Sequence, residues 1–153
     1  MKKIFIFIFT FFLMVPTYSK GYSIGDSVKN FTLTSLDGKK KISLNNFKNK
    51  KIYLNFTTTW CPLCIKEKKK LNEDYNKFLK DNRDIVLITV FGPYRGDTIE
   101  KAKNYMKEHN YSFPSYYDKG RKLATEFNVS KIPITFLIEN GKVKNIYLRK
   151  YPF

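Results

Sequence analysis

The chain has 153 residues, 42% of them hydrophobic, and a formal net charge of +16 at pH 7. This length and apolar content fit one domain with a hydrophobic core, and no internal repeat or linker is visible. The positive charge raises nucleic-acid and membrane-surface binding as hypotheses. The lysines are nevertheless spread over several segments without a basic stripe interleaved with aromatic residues. We therefore predict no nucleic-acid partner, and attraction to acidic partners or anionic lipid remains a minor alternative.

The N-terminus has the layout of a secretory signal peptide. Two lysines precede an apolar run from Ile4 to Val15, in which Thr10 is the one polar residue, and proline and small or polar residues follow it. This run is shorter than the roughly 20 residues that a membrane-spanning helix needs, so its length favours cleavage over a permanent anchor. We predict a signal peptide over residues 1–19, cut near 19–21, a single domain over residues 22–153, and export to the periplasm or cell envelope.

Next along the chain, a turn, a strand and a helix are indicated. Asp37-Gly38 lies between two short strand patterns and predicts an N-terminal hairpin. The run Lys51–Phe56 reads as a strand that leads to a helix beginning at Cys61. The helical spacing places one set of side chains inward, namely Cys64, Leu71, Tyr75 and Phe78. The same spacing places a lysine set in solvent, namely Lys66, Lys69, Lys70 and Lys77.

The second half of the chain alternates strands and helices and then ends in a hairpin. Ile85–Phe91 is an almost continuous apolar run, which is typical of a central strand in a partly parallel sheet. Asp97 and Glu100 resemble a capping box and predict a helix through about residue 109. A short helix is expected over 120–127. Strands are expected over 133–139 and 142–150, joined by an Asn-Gly turn. This pattern indicates an α/β domain with a mixed sheet.

Both cysteines of the chain lie in Trp60-Cys61-Pro62-Leu63-Cys64, a Cys-x-x-Cys pair at the start of a predicted helix. Free N–H groups and the helix dipole stabilise an anion there, so the spacing predicts a reactive thiolate and a redox dithiol. Zinc is the first alternative, but only one histidine follows the pair, so no metal site is predicted. A purely structural disulfide is the second alternative. It would close a very short loop, so it would remove little entropy from the unfolded chain and stabilise the fold only slightly.

Two motifs in the same order resemble the thioredoxin fold, and within it the exported TlpA/ResA-like thiol-disulfide reductases that include cytochrome c biogenesis thioredoxins. The first motif is Asn55-Phe56-x-x-x-Trp60-Cys61-x-x-Cys64-x-x-Glu67, and the second runs over residues 131–138 into the Asn-Gly hairpin. The resemblance covers roughly residues 25–148. It implies a mixed central sheet flanked by helices, here with an N-terminal β-hairpin extension.

The resemblance also implies roles for individual residues. Pro133 would follow a cis bond beside the dithiol, and the backbone of Ile132 would pair with a substrate peptide. An ordinary trans proline that opens a strand is the alternative. Glu67 would accept the proton of the second thiol, unless it is a surface carboxylate paired with a neighbouring lysine. Trp60 would shape and shield the site.

The sequence departs from the family's pattern at three places. Leu63 and Lys69 replace prolines that are common in the family, and Pro62 stands in the first intervening position instead, so the direction of electron flow is open. No final helix is indicated after the last hairpin. Simple alternation places Ile146 and Leu148 on one face and Val143 and Tyr147 on the other, so that both faces need cover. A partner or the N-terminal segment would supply it.

The sequence therefore predicts an exported, monomeric thiol-disulfide oxidoreductase that reduces protein disulfides, with apocytochrome c as one substrate option. Cys61 would be the nucleophile, Cys64 the resolving thiol, and Cys61–Cys64 the redox disulfide, without a cofactor. A membrane electron donor would reduce it again. The rivals are a thiol oxidase or isomerase, a peroxiredoxin-like peroxidase, and a binding module without enzymatic activity. The peroxiredoxin pattern is half met, because Thr58 fits it but Leu54 stands where a proline is expected.

Overall fold

The computed structural model describes residues 21–153. The predicted signal peptide over residues 1–19 lies outside this range. Within it, no helix combines the length and the apolar character that crossing a membrane requires.

In the described part of the chain, seven strands form one mixed sheet with the order β2-β1-β5-β4-β3-β6-β7. Strands β3, β4 and β5 are parallel to one another, and all other neighbours are antiparallel. The strand bounds are β1 Thr32–Ser35, β2 Lys41–Ser43, β3 Lys51–Thr57, β4 Ile85–Phe91, β5 Ser115–Tyr117, β6 Ile134–Glu139 and β7 Lys142–Leu148. The predicted N-terminal hairpin, the central β4 and the C-terminal hairpin are thus confirmed, although β7 ends two residues earlier than expected. The short β5 was not predicted.

Three α-helices cover the two faces of this sheet: α1 Pro62–Asp74, α2 Ile99–Glu108 and α3 Lys122–Glu126. Leu71 of α1 packs on Leu87, and Ala102 of α2 packs on Phe91, so these two helices share one face. The α3 helix packs on the opposite face, in the largest apolar cluster, after a 3-10 turn over Lys119–Arg121. The short helix predicted over 120–127 is therefore present in this form.

The C-terminal end of the first helix differs from the prediction. After α1 the chain continues as one π-helical turn over Tyr75–Leu79. A π turn inserts an extra residue into the helical repeat and rotates the following side chains around the axis. Leu79 is buried as a result, whereas the Phe78 side chain is 44% exposed. The prediction that Phe78 points inward is therefore wrong.

The start of α2 also differs from the prediction. Thr98, not Asp97, is the N-cap, and its hydroxyl accepts a hydrogen bond from the Lys101 N–H. Asp97 is buried, and its carboxylate accepts two hydrogen bonds from Thr59 instead. The Thr59 backbone N–H donates one at 2.8 Å, and the Thr59 hydroxyl donates the other. Instead of forming the predicted capping box, Asp97 connects the β4–α2 loop by hydrogen bonds to the segment before Cys61.

The last strand contains a β-bulge that changes which side chains share a face. The register shifts so that Ile138 pairs with Val143 while Phe136 pairs with Ile146. Since an extra residue at a bulge reverses the alternation, Val143 lies on the same face as Ile146. The prediction that these two residues point in opposite directions is therefore wrong.

The surroundings of β7 also differ from the expectation. The N-terminal segment pairs along its edge, with the Gly25 N–H donating to the Val143 carbonyl at 2.8 Å. No helix follows β7 within the described residues, and the chain instead folds back over the face that carries α1. There the Phe153 ring lies 4.4 Å from the Tyr53 ring, centroid to centroid, and the Tyr151 hydroxyl donates to Asp74 at 2.5 Å. Residues 151–153 thus cover part of the sheet.

Candidate active site

The two cysteines lie at the N-terminal end of α1, just after the C-terminal end of the interior strand β3. Cys61 is the N-cap residue of α1 and Pro62 occupies the first turn. A proline fits there because its fixed φ suits a helix. It also lacks a backbone N–H, and at this position an N–H would have no hydrogen-bond acceptor within the helix. Both cysteines are free thiols in the structure. Cys61 is 8% exposed and Cys64 is completely buried, so the two thiols differ in their access to a substrate.

The buried thiol has a distinctive environment. Cys61, the Thr57 hydroxyl and the Thr58 backbone act on its side chain. The pKa of Cys64 is raised to about 11, chiefly by burial and then by Cys61, whereas the Thr57 hydroxyl acts in the opposite direction. Cys64 therefore needs help to lose its proton at neutral pH.

Glu67 lies one turn beyond Cys64 and is turned towards the sheet. Its Oε1 accepts a hydrogen bond of 2.6 Å from the Asn55 side-chain amide, which also donates to the Thr135 hydroxyl at 2.9 Å. Burial raises the pKa of Glu67 to about 7, against the lowering effects of Asn55 and Lys68. The alternative of a surface carboxylate paired with a neighbouring lysine is wrong, because the ion pairs among the described residues are Lys51–Glu139 and Lys103–Glu100.

Lys68 is the most unexpected residue of this region. It is 1% exposed although it lies in a helix with many solvated lysines. Its Nζ donates to the Thr58 carbonyl at 2.5 Å and to the Thr57 hydroxyl at 3.4 Å. The same Nζ lies 4.7 Å from the centre of the Tyr105 ring. Burial lowers the pKa of Lys68 to about 8, while the nearby thiols and carboxylates act to raise it.

Apolar side chains form an exposed rim around the thiols. Trp60, Leu63 and Ile65 are the exposed large hydrophobic residues of this end of α1. The Trp60 indole N–H donates to the Tyr94 carbonyl at 3.0 Å, and the Arg95 guanidinium lies 5.3 Å from the Trp60 ring centre. The β4–α2 loop thus holds the tryptophan beside the thiols. Such a rim offers a contact surface for an unfolded or extended partner.

The second motif lies across a cleft from residues of the first motif. The Ile132–Pro133 peptide bond is cis, and Ile132, half-buried, precedes the first paired residue of β6. Pro133 lines a cleft of about 260 Å³ together with Leu63 and Glu67, and basic side chains border it. The structure therefore brings both sequence motifs to one site. Among residues 21–153, no group of three or more His, Cys, Asp or Glu side chains is arranged to hold a metal ion.

Sequence reasoning assigned no role in the site to four residues of this region: Asn55, Thr57, Lys68 and Asp97. Lys68 was detectable in principle, because it follows Cys64 by four residues and so falls on the inward helical stripe. The alternation of β3 similarly places Asn55 and Thr57 on one face. Asp97 gave a misleading signal, since its position also fits a helix cap.

Comparisons with known proteins agree with this geometry. Residues 24–146 match the model of the AhpC/TSA family. The chain is 35% identical over 136 residues to the thiol-disulfide oxidoreductase ResA of Bacillus thuringiensis subsp. konkukian, covering 88% of this chain and 75% of the relative. It is 33% identical over 159 residues to ResA of Bacillus subtilis, covering 95% and 86%.

Solved structures give the same result. A putative protein disulfide isomerase from Bacteroides thetaiotaomicron superposes with a TM-score of 0.74 at 28% identity, over 86% of this chain and 82% of that one. StoA from Bacillus subtilis superposes with a TM-score of 0.69 at 26% identity, over 78% and 87%.

The chain belongs to the AhpC/TSA family. Within this family its curated relatives are thiol-disulfide oxidoreductases, and its Cys-x-x-Cys pair lies at a helix N-terminus. The predicted thioredoxin fold and the resemblance to ResA-like proteins are thereby confirmed. This AhpC/TSA family member is a thiol-disulfide oxidoreductase.

Proposed function

We propose that the protein is an exported reductant of protein disulfides, in which Cys61 attacks, Cys64 resolves and Glu67 takes a proton. The observation that carries this proposal is the unequal placement of the two thiols. Cys61 lies at the helix N-terminus behind an apolar rim, whereas Cys64 is fully buried below it. A substrate disulfide therefore reaches Cys61 first. The apolar run of residues 4–15 supports export.

The reaction proceeds in two exchanges. The Cys61 thiolate attacks one sulfur of the substrate disulfide, the other substrate sulfur leaves as a thiolate, and a mixed disulfide with Cys61 forms. Cys64 then transfers its proton to the Glu67 carboxylate and attacks the Cys61 sulfur. The second substrate thiolate leaves, and the Cys61–Cys64 disulfide remains. Two electrons have passed to the substrate, so a dithiol donor at the membrane must supply two electrons for the next cycle.

The reducing direction is supported by the environment of Cys64. A strongly oxidising dithiol is one whose reduced form is stabilised. Here burial raises the pKa of Cys64, so the site does not hold this sulfur as a stable thiolate. The reduced form therefore lacks the stabilisation by a Cys64 thiolate that would make the pair strongly oxidising. Partners are accordingly proteins that carry disulfides, apocytochrome c among the options, and the protein acts as a monomer.

A Cys64→Ala variant expressed in cells tests the proposal. We expect substrate proteins to remain bound to Cys61 through mixed disulfides that dithiothreitol releases, because the resolving thiol is missing. The matched control is Cys61→Ser with Cys64 intact, which should bind none of them. Equal capture by both variants would contradict the proposal. So would the release of substrates from the wild-type protein with their disulfides still oxidised.

Two further assays separate the enzymatic rivals. A reduction potential well above that of ordinary reductants, together with efficient oxidation of an unfolded dithiol protein, would favour the thiol oxidase. Rapid consumption of hydrogen peroxide by the purified chain would favour the peroxidase. The peroxidase reading also requires the residue pattern that Leu54 breaks, and Leu54 is a fully buried residue of β3.

A further inference from the structure

A buried cation lies directly behind the thiol pair, and the sequence motifs do not account for it. Lys68 is 1% exposed, and no ion pair of the described residues includes it. Burying an ammonium group is costly unless its surroundings compensate the charge. A carbonyl, a hydroxyl and the faces of two aromatic rings surround Nζ, at 4.7 Å from the Tyr105 centre and 5.7 Å from the Phe91 centre. All of these groups complement a positive charge.

The hydrogen bonds of Thr57 connect this cation to the resolving thiol. The Thr57 hydroxyl oxygen accepts a hydrogen bond from Lys68 Nζ. The hydrogen of the Thr57 hydroxyl must then point away from Lys68, so it is free to be donated to another group. The same hydroxyl acts on the Cys64 side chain to lower its pKa, and so it favours the thiolate form. The chain of donors thus runs from Lys68 through Thr57 to Cys64. A hydroxyl that is polarised by a cation donates more strongly to an anion.

We propose that Lys68 is a positioning residue for the resolving step, in which its ammonium group orients and polarises the Thr57 hydroxyl to stabilise the Cys64 thiolate. This inference rests on the proposed role of Cys64 as the resolving thiol. During the step Cys64 gives its proton to Glu67, its thiolate attacks the Cys61 sulfur, and the substrate thiolate departs. Lys68 neither gains nor loses a proton, since it only stabilises the transient negative charge.

Other titratable groups also act on Lys68 and enter the expected pH dependence. They are the N-cap residue Cys61, Cys64 and Glu67 of α1, Asp97 of the loop before α2, and Tyr105 of α2. The thiols and carboxylates favour the charged lysine, whereas burial opposes it. Lys68 also acts to lower the pKa of Glu67, so Lys68→Met removes that effect together with its action on Thr57. A Thr57 substitution that keeps the lysine separates the two effects.

The test compares Lys68→Met with Lys69→Met in the reaction of the reduced protein with 5,5′-dithiobis(2-nitrobenzoate). Attack by Cys61 releases the first thionitrobenzoate, and resolution by Cys64 releases the second. We expect Lys68→Met to keep the first phase within about twofold but to slow the second about tenfold at pH 7, moving its pH midpoint up by about one unit. Lys69 is exposed on the same helix, so Lys69→Met should match the wild type.

Thr57→Val provides the second variant, because it removes the hydroxyl and leaves the lysine. It should slow the second phase in the same way, and the double variant with Lys68→Met should add little, since both act through one connection. A shift of the pH midpoint separates this role from simple loss of packing. Methionine in place of a buried cation should not lower the thermal midpoint, and if that variant does not fold, Thr57→Val decides.

The outcomes distinguish the two proposals. If Cys64→Ala also releases the second thionitrobenzoate at the wild-type rate, Cys64 does not resolve, and the proposed function fails together with this inference. If Cys64→Ala stops after the first phase but Lys68→Met and Thr57→Val behave like Lys69→Met, only the role of Lys68 is refuted.

Discussion

The two faces of strand β3 show how this chain separates stability from chemistry. Ile52, Leu54 and Phe56 point to one face and are almost completely buried in the largest apolar cluster. Tyr53, Asn55 and Thr57 alternate with them and point to the face that carries α1. One strand of seven residues therefore contributes to a dry core on one side and to a polar site on the other.

The difference lies in what covers each face. On the apolar face, aromatic rings pack closely, with the Phe127 and Phe136 centroids 4.8 Å apart. On the polar face, Asn55 and Glu67 lie beneath residues 151–153, which line the same narrow cavity. Polar groups in such a place are stabilised by hydrogen bonds, and their proton equilibria shift because water is largely excluded. We infer that the first face holds the fold together and the second tunes the thiols.

The largest effect should come from the apolar face. Phe136→Ala removes a ring that contacts both Phe56 and Phe127, and we expect a loss of about 3–5 kcal/mol in the free energy of unfolding. Urea unfolding followed by circular dichroism measures it. Leu148→Ala, at an exposed position of β7, is the control and should stay within about 0.5 kcal/mol. Folded Phe136→Ala protein should retain its thiol kinetics; a selective loss of resolution would break the division between the faces.

Glu67→Gln should have the opposite profile. Without a carboxylate to accept the proton of Cys64, we expect resolution to slow about a hundredfold at pH 7, as for the loss of a general base. The pH profile of this step should lose its inflection near 7, where Glu67 titrates. Single-turnover kinetics between pH 5 and 9, in steps of about half a unit, check both results. Resolution unchanged by the substitution would remove Glu67 from the mechanism.

The stability of the same variant tests the sign of the pKa shift. The pKa of Glu67 is raised from 4.5 to about 7 by burial, so the fold disfavours its ionised form. The stability that the protonated group provides is fully present below pH 4.5 and is lost as the pH rises through about 7. Glutamine lacks this penalty, so the variant should be about 1–3 kcal/mol more stable than the wild type at pH 8 and similar to it at pH 4. Lower stability at pH 8 would contradict the shift.

A smaller effect is expected from the C-terminal cover. Phe153→Ala removes the ring that packs on Tyr53, which should cost about 1 kcal/mol of unfolding free energy. More water would then reach the cavity below, and the pKa of Glu67 should fall, moving the inflection of the resolving step to lower pH. Leu148→Ala again serves as the control. An inflection that does not move would show that the cover plays no part in tuning Glu67.

Much of the frame could be predicted from local patterns. The apolar run of β4 and the Asn140-Gly141 turn are strong signals because each depends on a few adjacent residues. The π turn after α1 and the bulge in β7 depend on packing across the sheet, so they shifted Phe78 and Val143 away from their predicted positions. Strand β5 has three residues, which is too few for a periodic signal.

The candidate site was predicted in its cysteines but not in its surroundings. Cys61 and Cys64 are only three positions apart in the sequence and form a motif by themselves. Lys68 lies on the inward stripe, but a lysine is assigned to solvent unless its partners are known. Those partners, the Thr58 carbonyl and the Tyr105 ring, come from other elements of the fold. Burial by distant segments, rather than residue type, therefore decides the electrostatics of the site.

We propose that the polar face of the sheet places a proton acceptor, Glu67, beside the resolving thiol. Titration of the Glu67 side-chain carboxyl by carbon-13 NMR in the reduced protein tests it most directly, with Glu67→Gln identifying the signal. We expect a midpoint near pH 7, because burial raises the pKa of Glu67 to about 7. A midpoint near the ordinary 4.5 would contradict it.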